Sequence, residues 1–507
     1  MPSNRQAWDY ESVTRASSAT RLPREEGDEL SEDLSGGLGE ETPGDLSAGF
    51  AEADTGAPEE GSRAASASRA SRVGAAILKR GHGLTYASLV LFTVVLYLRP
   101  AELYPSPLTA SIAFFIGTFT LAVFFLSQLT LEGTLTARPR EVNLLLLFCL
   151  FALLSIPFAL DPGMAWDTFS GVFIRCVVIF VVMVNAVRTQ RRLRGMLLVA
   201  LLTGIILSAK GVNDYRLGNL TIEGYRVGGV GEGIFGNPND LALFLVTVAP
   251  VAVAMLLGSR SVFGKLFYAA ASLLMLAAVV VTFSRGAFLG LAAALGLMAW
   301  KVGRRNRVGV VLLGFACVVV LLALAPGEYL RRLLSIFMPG LDPVGSSDMR
   351  RQILMRSVWT AIVNPINGIG MGNFPLVSLR NLVSHNAYTQ VAAEMGLPAL
   401  AVYLMFLLTP FKGLSVIERE THGERKSSRF YYLAVGLQAS LVGYVISSFF
   451  ASVAYVWYVY YVVGYAVCLR RIYESEGAPV AVTKAPADEA RADDEGAASG
   501  LGAVAGG

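Results

Sequence analysis

Runs of about twenty apolar residues recur along the chain, each closed by a polar linker. Inside a run, polarity follows neither the two-residue step of a half-buried strand nor the 3.6-residue step of a soluble surface helix. A helix needs about 20 such residues to cross roughly 30 Å of hydrocarbon. The runs predict about twelve spans, with approximate cores at 84–99, 107–127, 143–160, 171–187, 196–213, 240–257, 267–283, 287–302, 308–325, 387–411, 430–449 and 452–469. The pattern is that of an all-α polytopic membrane protein.

The linkers alternate in charge. Every second one is basic: Arg138 and Arg140, then "RTQRRLRG", Arg260 with Lys265, "KVGRRNR" and "KGLSVIERETHGERKSSR". Basic loops stay on the cytoplasmic side, so both termini are expected in the cytoplasm. Residues 1–80 carry no apolar core region and read as a disordered tail without a cleavable signal peptide, acidic first and basic just before the first span. Residues 473–507 read as a second disordered tail, leaving 81–472 as the membrane domain. Composition narrows the class further. With 54% hydrophobic and 16% charged residues the chain is no soluble enzyme, and a net charge of +4 gives no nucleic-acid partner. The four cysteines lie in or beside apolar runs with no CxxC pair, so neither a disulfide framework nor a structural zinc site is expected.

Two linkers on the opposite, outward side are long, at roughly 214–239 and 326–386. Loops of the second length usually carry function. Within it, "MRRQILMRSVWTAIV" puts Ile353, Leu354, Val358, Ala361 and Ile362 on one helical face and Arg351, Gln352 and Arg356 elsewhere, as in a helix lying on a membrane surface. "NPINGIGMGNF" then breaks the helix, its glycines permitting a tight loop. The outward linkers hold Arg216, Arg226, Arg285, Arg331, Arg332, Arg350, Arg351, Arg356 and Arg380 and no lysine. Guanidinium forks bind phosphate oxygens, which points to an anionic ligand; lipid headgroups or Glu223, Glu232, Asp342 and Asp348 would equally occupy single arginines. Arg285 differs, because "VVVTFSRGAFLGL" allows only a turn between two spans and so holds the charge near the hydrocarbon boundary. In "GEGIFGNPNDLALFL", Asn239 or Asp240 is expected to cap the following helix, whose N-terminus also attracts anions.

"SHNAYTQVAAEMGLPAL" places His385, one of three histidines, on the expected first turn of the tenth span. A neutral imidazole takes a proton from a hydroxyl near neutral pH. Glu394, nine residues on, falls about 180° around the helix and too deep to orient it. It must face another helix or a polar cavity. The alternative keeps His385 as a helix cap, with Asn386 and Tyr388 as interface anchors.

The ordered set of motifs resembles the O-antigen ligase and polysaccharide polymerase superfamily over about residues 84–470. Arg285 followed by Leu289 matches an arginine-x3-leucine signature, and His385, Asn386 and Gly396 match a His-Asn pair with a downstream glycine. Ala399 stands where the ligase pattern prefers Gly, Thr or Tyr, which favours polymerase over ligase. The resemblance implies a GT-C-like glycosyltransferase in the bacterial inner membrane, active on its periplasmic face. The implied donor is an undecaprenyl-diphosphate-linked glycan; the acceptor is a glycan, or lipid A core for a ligase. His385 becomes the base and Arg285 the leading diphosphate ligand, with Arg226 and Arg351 behind it and Asn239, Asn386 and Tyr388 as further binding residues. Inversion at the anomeric carbon, no metal and no cofactor are expected, because arginines can do the work of a divalent cation. Implied partners are membrane lipids and polysaccharide export or chain-length control proteins. A flippase of lipid-linked glycan is the alternative from another class, and would bury polar groups along a path at mid-depth.

Overall fold

The computed structural model describes residues 82–220, 226–228, 235–303, 346–424 and 428–477. The predicted span at 308–325, the tail at 1–80, Arg331, Arg332, Glu223, Glu232 and Asp342 lie outside the described residues.

The described residues form helices α1 (Gly83–Leu98), α2 (Pro107–Glu132), α3 (Arg140–Ser155), α4 (Pro162–Ala186, with a π-turn at Phe169–Phe173), α5 (Gln190–Leu217) and α6 (Pro238–Gly258). They continue with α7 (Val262–Val281), α8 (Arg285–Val302), α9 (Ser346–Val363), α10 (Ala387–Glu420), α11 (Arg429–Ser447) and α12 (Trp457–Gly477). Nine of the helical segments are long and apolar enough to cross a membrane, among the described residues. The protein is an all-α polytopic membrane protein. Each of the other eleven predicted spans has its helix, and no strand pairs with another among the described residues.

Local chemistry sets the helix ends. Pro107, Pro162 and Pro238 open α2, α4 and α6, where a missing N–H costs nothing. Ser106 and Thr109 form a reciprocal capping box on α2. At the other end of α4 the carbonyls of Val184, Asn185 and Ala186 accept from Arg471, Arg188 and Arg192. Three cations thus meet the negative end of one helix dipole. Two buried carboxylates at this basic end are also paired: Glu141 with Arg470, through two bonds of 2.6 and 2.8 Å, and Glu418 with Lys301. Arg470 pairs with Glu474 as well, and Tyr473 Oη donates to Glu420 at 2.7 Å. These contacts extend α12 to Gly477, past the tail boundary expected at 473.

Fifteen of the 21 residues of α6 are buried, and α5, α7, α8 and α11 pack along it. α2 is its opposite, with Leu108, Phe114, Phe115, Phe119 and Leu126 exposed along a helix that rests chiefly on α1. Within a bilayer such a face meets lipid rather than water. α10 bends at Gly396, whose φ of 86° lies in the left-handed region, and runs to Glu420, beyond the expected 411.

Candidate active site

The end of the bundle opposite the arginine-capped one collects the starts of α6, α8, α9 and α10 and the end of α11. A cavity there is lined by Asn239 and Leu243 of α6, Ser284 to Ala287 at the start of α8, Arg350 of α9, Ser447 at the end of α11, and Phe450 and Ala451 after it. Two arginines and the N-terminal turns of α6 and α8 line one small space, and no carboxylate is among its described lining residues. Backbone N–H groups and arginines together favour an anion.

Local sequence builds each wall. Phe283 takes a left-handed φ of 53°, which ends α7 and turns the chain so that Arg285 begins α8. α8 then lies close along α11, where Ser447 Oγ donates to the Gly286 carbonyl at 3.2 Å. The cap of α6 is Asn237, whose side chain accepts from the Asn239 N–H; the expected caps, Asn239 and Asp240, are inside the first turn. Pro238 decides this, since a proline at the first helical position moves the capping role one residue upstream. Asn239 is thereby free to accept from Arg226 at 2.8 Å through its side-chain oxygen. Arg226 is itself 3% exposed and donates to the Thr282 carbonyl at 2.9 Å. It holds Asn239 and the end of α7 together from behind the cavity.

α9 brings Arg350, rather than Arg351, to the cavity. Its buried face is Ile353, Ser357, Thr360 and Ala361, and Arg350 falls on the same side three residues before Ile353. Arg351 is exposed, a rotation of about 100° away. Val358 and Ile362, expected on the apolar face of a helix lying on a membrane surface, are exposed beside Met355, Trp359 and Val363, whereas Ile353 packs inward. Two polar residues, Ser357 and Thr360, are buried beside Ile353 because they bond across helices and to their own turn.

His385 stands one residue before the cap of α10, not on its first turn. Asn386 is the cap, its side-chain oxygen accepting from the Tyr388 and Thr389 amides at 2.9 and 3.0 Å. His385 adopts a φ of 54° and is half-buried. Ser384 and Ser357 both meet the Thr389 hydroxyl at 2.9 Å, which joins the histidine turn to α9. Burial, and then the nearby Arg350 charge, lowers the His385 pKa to about 4. The imidazole is therefore neutral at physiological pH and able to accept a proton. Tyr388 Oη donates to the Val445 carbonyl at 2.7 Å and accepts from Ser448 Oγ at 3.1 Å. It ties α10 to the end of α11.

The structure thus brings Asn239 and Arg285 into one cavity, sets Arg350 between that cavity and His385, and leaves Arg226, Asn386 and Tyr388 holding the walls. Arg351 is outside it. Sequence reasoning counted Arg350 only among the outward arginines, ranked Arg351 above it, and passed over Ser447 and Phe450; the spacing of Arg350 from Ile353 and Ser357 is the signal that singles out the first.

A family profile described as O-antigen ligase matches residues 270–404. The matched stretch spans His385 and both arginines among the described lining residues, Arg285 and Arg350, so the resemblance to the ligase and polymerase superfamily rests on the segment that builds the site. α6, with Asn239, contributes from outside it. No curated protein matches the chain.

Proposed function

We propose that the chain is a glycosyltransferase of the bacterial inner membrane that acts on the periplasmic face, with an undecaprenyl-diphosphate-linked glycan as donor. The observation that carries this reading is the juxtaposition of an arginine-lined cavity with a neutral histidine within the stretch that matches the O-antigen ligase profile. Arg285 and Arg350 take the diphosphate. An acceptor hydroxyl oxygen attacks the anomeric carbon while His385 receives its proton; the bond from that carbon to the diphosphate oxygen breaks, and the oxygen leaves with the electron pair. One direct displacement inverts the anomeric centre. Catalysis on this scheme is alignment plus stabilisation of the charge growing on the diphosphate, for which the arginines serve in place of a divalent metal. Binding the anion offsets the Arg350 charge and raises the basicity of His385 when the base is needed.

A polymerase that extends a polysaccharide is the preferred form, on the strength of Ala399. The ligase reading, transfer to lipid A core, is favoured by the description of the matching family. Glycan analysis after gene deletion separates them. Single repeat units on the acceptor mark a lost polymerase, long chains left on the lipid carrier mark a lost ligase, and an unchanged glycan profile contradicts both.

A further inference from the structure

Nine residues below His385 the carboxyl of Glu394 is buried, 1% exposed, at the bend of α10. A carboxylate is costly to bury without compensation, and the partners of this one are specific. Its Oε1 accepts from the Phe374 amide at 3.3 Å, and its own carbonyl accepts from the Gly370 amide at 2.9 Å. The neighbouring Ala393 carbonyl takes the Ile369 amide at 3.0 Å, and the Leu397 amide donates to Pro365 at 2.7 Å. All four bonds run to the glycine segment 365–374 that links α9 to α10; the carboxyl makes the first and backbone groups make the other three. The fit leaves no slack: a side chain at Gly368 would stand 2.3 Å from the Glu394 backbone, and one at Gly396 2.1 Å from the Ile366 carbonyl. The same segment is held from its far side, where Leu160 and Asp161 donate to Ile369 and to Asn373 at 2.9 and 2.7 Å. Glu394 Oε2 lies beside Tyr455 and Gln390 and makes no well-formed hydrogen bond among the described residues.

This segment sets the angle at which α9 leaves α10. α9 carries Arg350 and the turn above α10 carries His385, so whatever fixes the segment fixes one against the other. We propose that Glu394 is a positioning residue: its buried carboxyl clamps the 365–374 segment to the bend of α10 and so sets Arg350 opposite His385. The catalytic part of this inference rests on the glycosyltransferase reading; the geometric part does not.

The test uses the full chain in lipid nanodiscs. Spin labels at the exposed positions Met355 on α9 and Leu408 on α10 report the distance between the helices, and steady-state transfer from a lipid-diphosphate-linked glycan reports kcat and KM. Glu394→Gln keeps an acceptor for the Phe374 amide and is expected to retain a narrow distance distribution and near-normal kcat. Glu394→Leu removes the acceptor. It is expected to broaden the distribution and lower kcat by about 10²-fold with KM for the donor little changed, as for a misplaced catalytic group. If Glu394→Leu does not fold, Glu394→Asp, which withdraws the oxygen by one methylene, is read the same way. An unbroadened distribution in Glu394→Leu, or a Glu394→Gln protein as inactive as Glu394→Leu at unchanged distance, overturns the proposal. If the wild-type protein transfers no glycan, the functional reading fails and the distances alone decide the clamp.

Discussion

The contact between α8 and α11 offers a substitution whose effect can be worked out from geometry. Gly290 is one turn below Arg285, and an added Cβ would stand 2.0 Å from Ser447 Oγ and 2.6 Å from the Gly443 carbonyl. The hydroxyl can rotate away; the carbonyl is backbone and cannot. Ordinary contact begins near 3.5 Å, so Gly290→Ala must part the two helices by roughly 1 Å at this level. Overpacking of that kind costs about 1–3 kcal/mol. Because Arg285 and Ser447 line the cavity from the two helices being parted, transfer activity is expected to fall by about 10- to 100-fold, in line with the cost of a 1 Å misplacement. Gly296, on the same helix, is the control. It is exposed and an added Cβ meets nothing within 4 Å, so Gly296→Ala should be neutral or stabilise by about 0.5–1 kcal/mol through helix propensity. Adding Ser447→Gly to Gly290→Ala should restore only part of the loss, since the carbonyl stays. The assay is thermal unfolding in detergent beside glycan transfer at matched protein amounts. A Gly290→Ala protein indistinguishable from Gly296→Ala refutes the reasoning.

Two further outcomes follow from the site. Arg350→Ala should lower kcat by about 10²–10³-fold, the usual effect of removing one donor to developing charge, whereas Arg351→Ala, exposed and outside the cavity, should stay within about threefold; equal losses in steady-state assays of the two would place the anion elsewhere. The pH profile has a definite sign, because a lowered pKa means His385 is protonated only as pH falls through about 4. The acid limb of kcat/KM should therefore lie well below the ordinary value of about 6.5, and Arg350→Ala should move it upward; a wild-type limb at or above 6.5 contradicts the assignment.

What the sequence disclosed and what it hid divide along locality. Spans were legible because an apolar run of sufficient length is a local signal, whereas their ends depend on contacts such as the Arg470–Glu474 pair in the last turns of α12. Arg285 was legible for the same reason, a charge caught in a turn between two runs. The choice of Arg350 over Arg351 was not, since it depends on a single 100° step and the face that decides it is half polar, with Ser357 and Thr360 buried beside Ile353 and Ala361 while Val358 and Ile362 face outward. The pairing of Arg226 with Asn239 and the docking of residues 365–374 on Glu394 join parts of the chain that no periodicity links. Glu394 was separable from His385 by helical geometry alone, but what it holds appears only once the chain is folded.

The central claim is that the arginine-lined cavity and His385 together transfer a glycan from a lipid diphosphate. It is tested most directly by incubating purified protein with a lipid-diphosphate-linked oligosaccharide and a glycan acceptor, and measuring released lipid diphosphate and elongated product together. The account predicts stoichiometric appearance of both with the wild-type protein and loss of both with His385→Ala and with Arg285→Ala, each folded and inserted as the wild type is. Undiminished transfer by either variant would contradict it.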